Sequence, residues 1–317
     1  MPSLFDSPVG KKKRPKLPGD VHAWIRSVTR DSFRSFVKVF WEQIPGAGKL
    51  VWNWHLGIFC DELQKVHERL EKGLPREYDL LFNVPFGTSK STVISILFNC
   101  WVWARMPSAR VLVGTHTEKL ALAFSMKSRS VVTSDLYQSC FPEVKLGTGQ
   151  ETKEYYTNTC GGERNTCTVG GKTPMGWHFH YLIVDDPIDP QGAMSEAELD
   201  NADRFMTEVI PSRKIDKPVS VTILVMQRIH YRDPSAVMLR ESKKEGAAPI
   251  KHICLPGELY KKEDGSYNPD NVNPPELADN YIDGLLDQKR LPRSVLGEYK
   301  ARGDLYYATQ VLQRPYP

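Results

Sequence analysis

An α/β fold, with a mainly parallel central sheet flanked by helices and a helical segment ahead of it, is what this 317-residue sequence predicts. Three observations carry the prediction. Short, wholly apolar runs recur along the chain, as strands buried on both faces require. Each of several such runs is followed by a longer stretch with apolar residues at helical spacing, and that alternation builds parallel sheets. Composition is ordinary for a globular protein, 40% hydrophobic and 25% charged, and supplies a large core.

The elements follow in order. Residues 1–20 gather Lys11, Lys12, Lys13, Arg14 and Lys16 among Pro and Gly and read as a flexible basic arm. Residues 21–75 read as an N-terminal helical segment. Trp24, Ile25, Val28, Phe33, Phe36, Val37 and Phe40 recur at helix spacing. Pro45-Gly46 then marks a turn, and a second helix runs from near Trp54 to Leu70 and ends at Gly73. The core is expected over residues 76–255. Its strands are Asp79 to Val84, Arg110 to Gly114, Tyr181 to Val184, Val219 to Met226 and Ile250 to Leu255. Its helices are Lys90 to Ala104, Glu118 to Ser134, Ala193 to Ile210 and Pro234 to Lys244. Residues 150–172 read as strands joined by turns at Gly161-Gly162 and Gly170-Gly171. Residues 256–317 are richer in Pro, Gly, Asp and Asn and read as a loop-rich extension.

Composition also narrows the chemistry. A net charge of +4 permits a nucleic-acid partner without requiring one. The six cysteines, Cys60, Cys100, Cys140, Cys160, Cys167 and Cys254, are scattered with no CxxC pair, so no zinc site and a reducing compartment are expected. The longest apolar stretch, Val93 to Ala104, is broken by Ser95 and Asn99 and is too short to span a bilayer. No membrane association is expected.

Three junctions carry candidate chemistry. Between the first core strand and its helix lies Asn83-Val84-Pro85-Phe86-Gly87-Thr88-Ser89-Lys90-Ser91-Thr92. A phosphate-binding loop belongs there, because N–H groups at a helix N-terminus point at phosphates. Pro85, Phe86, Gly87, Thr88, Ser89, Lys90, Ser91 and Thr92 would form that loop. Lys90 suits the charge of the β- and γ-phosphates of ATP, and the Ser91 hydroxyl suits Mg2+. The usual pattern has glycines where Val84 and Ser89 stand, and a capped turn before an ordinary helix is the competing reading. Second, Tyr181-Leu182-Ile183-Val184-Asp185-Asp186 is an apolar strand ending in two acids. Asp185 would hold the metal and Asp186 would orient or deprotonate the attacking water. An Asx-turn before Pro187 is the plainer alternative. Third, Gln227 and Arg228 follow the strand Val221 to Met226, where a polar tip can sense a γ-phosphate; a turn held by a buried salt bridge explains Arg228 equally well. Together the three junctions point to a P-loop ATPase of the kind with an additional strand and a catalytic acid.

Here the sequence resembles a family. Met226-Gln227-Arg228-Ile229-His230 with Asp233 resembles the coupling segment of tailed-phage terminase large subunits. Trp54-His55 resembles that family's adenine-side segment. The residues from Val84-Pro85 to Lys90-Ser91 resemble its deviant phosphate loop, and Gly170-Gly171, Gly176 and Asp185-Asp186-Pro187 resemble the run into its acidic strand. Trp101-Val102-Trp103, Pro107, Leu120-Ala121 and Tyr307-Ala308-Thr309-Gln310 through Gln313-Arg314-Pro315 agree in order. The resemblance implies a Mg2+- and ATP-dependent motor domain that drives double-stranded DNA into a procapsid. It implies a ring, expected to be a pentamer, docked on the portal protein, a small terminase subunit as partner, and the host cytoplasm as location. Relatives carry a metal-dependent nuclease domain after this region. No nuclease activity is expected of this chain, and residues 256–317 would lead toward that domain.

This chain also departs from the family. Relatives place an arginine where Gly87 stands, and Gly-Arg where this chain has Gly176-Trp177. The arginine that stabilises transition-state charge is then sought among Arg129, Arg164, Arg228 and Lys172, in cis or from a neighbouring subunit. Lys243-Lys244 and Lys289-Arg290 are candidate DNA contacts, with a solvated surface as the simpler reading. Two alternatives stand beside the motor: another nucleic-acid-translocating ATPase of helicase type, and a weakly catalytic DNA-binding or assembly module.

Overall fold

The computed structural model describes residues 20–147, 152–171 and 176–315. Most of the basic arm (1–19) and Lys172 lie outside the described residues. A seven-stranded sheet forms the centre. Its strands are β1 (Asp79–Asn83), β2 (Arg110–Thr115), β3 (Tyr155–Thr157), β4 (Glu163–Thr168), β5 (Tyr181–Asp185), β6 (Val221–Met226) and β7 (Ile250–Cys254). The order is β3-β4-β2-β5-β6-β1-β7, and every pairing is parallel except β3 with β4. The mainly parallel sheet expected from the sequence is present.

The side-chain period of two explains why these strands are apolar throughout. Leu80, Phe82, Val111, Val113, Ile183 and Ile223 face one core layer, whereas Leu81, Leu112, Leu182, Val184 and Leu224 face a second layer on the opposite side. The first layer is covered by α1 (Val21–Asp31), α2 (Phe33–Phe40), α3 (Trp54–Glu71), α4 (Phe98–Arg105), α5 (Glu118–Val132) and α6 (Asp135–Cys140). The second is covered by α7 (Glu196–Arg204), the short α8 (Ile210–Ser212) and α9 (Pro234–Glu241).

Several boundaries differ from the sequence-based expectation. The first predicted helix breaks at Ser32, which is extended (φ −134°) and caps α2 by accepting from the Ser35 N–H. The helix from Lys90 is π-helical over Thr92–Leu97 before continuing as α4. The helix expected from Ala193 begins instead at Glu196, capped by Ser195, and loosens into a π turn over Phe205–Val209. Residues 256–317 hold more regular structure than their composition implies. They contain a small hairpin of β8 (Tyr260–Lys261) and β9 (Tyr267–Asn268), then α10 (Arg293–Lys300) and α11 (Asp304–Gln310).

This extension packs against the end of the sheet where the candidate chemistry lies. The Asn53 side chain donates to the Leu286 carbonyl at 2.8 Å. Phe86 meets Tyr299 edge-on with centroids 4.8 Å apart. Gly257 lies so close to Pro85 and Val311 that a Cβ there would approach them to 3.3 and 2.9 Å. Among the described residues no helix is long and apolar enough to cross a membrane.

Candidate active site

β1, β6 and β5 are adjacent and parallel, so their carboxyl ends deliver the loop after β1, Gln227 and Asp185-Asp186 to one edge. The loop turns through Gly87 (φ +73°) and Ser89 (φ +63°), and a helix opens at Lys90. Such an opening leaves first-turn N–H groups without intrahelical partners. An added Cβ on Gly87 would meet open space, so the loop is uncrowded there. Thr88 is buried and its hydroxyl donates to the Pro85 carbonyl at 2.7 Å, which closes the loop from within.

Loop and acidic strand are joined by direct bonds. The Ser91 hydroxyl donates to Asp185 Oδ1 at 3.0 Å. Lys90 Nζ lies 3.1 Å from both carboxylate oxygens of Asp186. Asp185 is fully buried, and the Ser95 hydroxyl donates to its other oxygen, Oδ2, at 2.5 Å. Burial, then the charge of Asp186, push the Asp185 carboxyl well above the usual carboxylate range, opposed by Lys90 and the two serines. Asp186 is left-handed (φ +45°), and its carbonyl accepts from the His116 backbone N–H at 3.2 Å and from its ring Nδ1 at 2.8 Å. Thr92 opens the π turn.

This donor set fits Mg2+ and a triphosphate. A hydroxyl and a buried carboxylate oxygen converge, as a hard cation with oxygen ligands needs. A lysine stands beside them at a helix N-terminus. Ser91 and Asp185 would hold the metal, and Lys90 the phosphates.

Most of the other expected residues have partners of their own. His55 is turned inward. It is fully buried, its Nδ1 accepts from the Asn53 amide at 2.7 Å, and its Nε2 bonds the Thr88 carbonyl at 3.0 Å. With both nitrogens engaged it braces the loop from behind. Trp54 stacks obliquely on Tyr281 at 5.5 Å and borders a cavity of about 120 Å³ shared with Trp52, Leu286 and Lys289. Gln227 lies at the tip of β6, 9% exposed. Arg228 is bound to Asp233 at 3.0 Å, the salt-bridged turn that was the plainer reading of that junction; the same carboxylate accepts from the Ile229 and His230 amides, and its other oxygen caps α9.

Arg164 is fully buried, so it cannot reach a neighbouring subunit's site. Arg129 lies 5.9 Å over the Tyr156 ring. Arg290 is engaged inward, with Asp287 at 2.7 Å and the Val51 carbonyl, and Lys244 pairs with Glu241 at 2.5 Å. A larger cavity of about 410 Å³, lined by Asp79, Lys214 and Met238 among others, lies at the opposite, amino end of β1 and holds none of the loop residues.

Sequence reading missed Ser95 and His116. A lone histidine after a strand carries no signal. Ser95 did leave one, as a polar break in the apolar run Val93 to Ala104 one helical turn beyond Ser91.

The class these observations define is a mixed α/β fold with a seven-stranded, mostly parallel sheet flanked by helices and polar residues gathered at its carboxyl edge. No family model matches the sequence, and no curated protein sequence matches it. Among solved structures the fold is similar to the crystal structure of the HK97 bacteriophage large terminase. The TM-score is 0.55 at 13% identity, over 90% of this chain and 55% of that one. The chain thus spans about half the length of that terminase, and its fold is terminase-like.

Proposed function

We propose that this chain is the ATPase motor portion of a viral terminase large subunit, coupling Mg-ATP hydrolysis to translocation of double-stranded DNA into a procapsid. One observation carries the reading. Lys90 and Ser91 meet Asp186 and Asp185 directly, although 96 and 94 residues separate the partners. A capped turn or an Asx-turn has no need of that convergence. The strand β6 between β1 and β5 also fits the additional-strand class of P-loop ATPases, and the terminase-like fold fits the packaging role.

In this reading Mg2+ supplies charge neutralisation on the phosphates. The first-turn amides and Lys90 bind the phosphate oxygens, and Ser91 with Asp185 Oδ1 orients the metal. Asp186 accepts the proton of the attacking water. For it to do so, Lys90 must leave the carboxylate for the phosphate, so binding itself frees the base. Gln227, at the end of the strand between loop and acids, responds to the γ-phosphate. The turn it opens, held by Arg228 and Asp233, carries the response to α9. Trp54 lies on the adenine side. The partners in this reading are DNA, a portal protein, a small terminase subunit and further copies of the chain in a ring.

The test is Mg2+-dependent ATP hydrolysis by the wild type beside Lys90→Ala and Asp186→Asn. Loss of at least 100-fold in both variants, with unchanged thermal unfolding cooperativity, is expected. ATP binding without turnover in the wild type at every protein concentration would favour the weakly catalytic assembly module instead.

A further inference from the structure

We infer that Ser95 and Arg164 are positioning residues for the metal-binding carboxylate: Ser95 locks Asp185 Oδ2, and Arg164 clamps the backbone of Ser95 from the core. The inference rests on the reading of Ser91 and Asp185 as a Mg2+ site and extends it to residues that touch neither metal nor nucleotide.

The geometry is direct. Asp185 has two oxygens and two serines four residues apart, with Ser91 on Oδ1 and Ser95 on Oδ2. Ser91 opens toward the loop. Ser95 is fully buried, so its bond is shielded from water. A carboxylate held at one oxygen presents the other in a fixed direction, which is how outer-shell partners tune a metal ligand. The helix is π-helical over Thr92–Leu97. Single π turns recur at functional sites, and here the turn includes the second serine.

Arg164 stands behind this turn. Its Nη2 donates to the Ser95 carbonyl at 3.3 Å and its Nη1 to the Asn165 carbonyl at 3.4 Å. It is fully buried, its Nε has no hydrogen-bond partner, and it meets no carboxylate among the described residues. Asn99 Oδ1 and Ser125 Oγ are likewise buried without hydrogen-bond partners. Burial lowers the guanidinium pKa, with Tyr156 and Cys100 opposing. A buried, unpaired arginine is costly for a fold to keep. A layer that served only for packing would be apolar, so the polar group points to a task, and the nearest one is the carbonyl of Ser95.

The experiment uses the full chain and a fluorescent ADP analogue, titrated with Mg2+ and in EDTA. For Ser95→Ala the expected result is unchanged metal-free affinity and at least a tenfold weaker apparent Mg2+ affinity in the ternary complex. Ser95→Thr, which keeps the hydroxyl, should restore most of it. Arg164→Lys should raise hydrogen exchange of the amides of residues 92–97 without nucleotide; Arg164→Met should raise it further if it folds. Ser95→Ala with wild-type Mg2+ dependence overturns this inference alone. A wild type that gains no affinity from Mg2+ overturns the reading of the site, and the inference with it.

Discussion

Single residues at this site hold conformations that most side chains avoid. Ser89 and Asp186 both have positive φ, where a residue with a Cβ is strained by about 1–2 kcal/mol. Aspartate tolerates the left-handed region better than most residues with a Cβ, which gives a backbone reason for an aspartate at position 186. Ser89→Val should therefore lower unfolding free energy by about 2 kcal/mol while Ser89→Gly leaves it equal or higher; equal values in urea denaturation for both variants would remove the strain argument. The histidines make a second residue-scale prediction. Burial lowers His55 and His252 to about 4 and His67 to about 3, from an ordinary 6.5. Each is held neutral in the fold, so its contribution is complete above pH 6.5 and is lost as pH falls toward 4, because the unfolded chain binds the proton first. Stability should fall as pH drops through that window, with the raised Asp185 carboxyl opposing part of the fall. Urea denaturation showing no loss of stability between pH 6.5 and 4.5 would contradict this.

Elements were legible in the sequence wherever one pattern dominated. β1, β2, β5 and β6 announce themselves because both faces are buried, so no polar alternation hides them. The convergence of the loop, Lys90, Ser91 and the paired aspartates was legible because each lies where a buried strand ends or a helix starts. What stayed hidden depends on tertiary contact. The break at Ser32 is invisible in a run whose spacing stays apolar, because it is set by a serine cap and by Gln64 accepting from the Phe33 N–H. His55 reads as a ligand residue in one dimension and becomes a loop brace only when α3 lies against Thr88. Arg164 reads as a candidate transition-state arginine, since nothing local says that β4 is covered. The α2–α4 contact shows what such packing is worth. Trp101 is fully buried against Phe33, Phe98 and His67, with centroids 5.0, 6.2 and 4.9 Å away, and its indole N–H donates to the Thr29 carbonyl at 3.0 Å. Trp101→Ala should cost about 4 kcal/mol by calorimetry, and loss of under 1 kcal/mol would mean that α1 and α2 are not held through this ring.

For the whole molecule the open question is where a transition-state arginine comes from. Phosphoryl transfer develops charge that motors of the proposed kind meet with a guanidinium. Within the described residues two of the sequence candidates are committed elsewhere: Arg164 to the core and Arg228 to Asp233. Gly87 offers no side chain, and its φ of +73° would strain any replacement. If the site has no arginine of its own, a neighbouring copy must supply one, and turnover becomes a property of the assembly. Specific ATPase activity should then climb with protein concentration. A mixing experiment separates this from simple dilution losses. Excess Lys90→Ala protein cannot complete its own site but keeps its surface, so adding it to dilute wild type should raise hydrolysis per wild-type subunit several-fold. Catalysis in trans predicts that rise. A rate per wild-type subunit unchanged by the inactive partner, at concentrations where the two co-assemble, would place the missing charge within the chain.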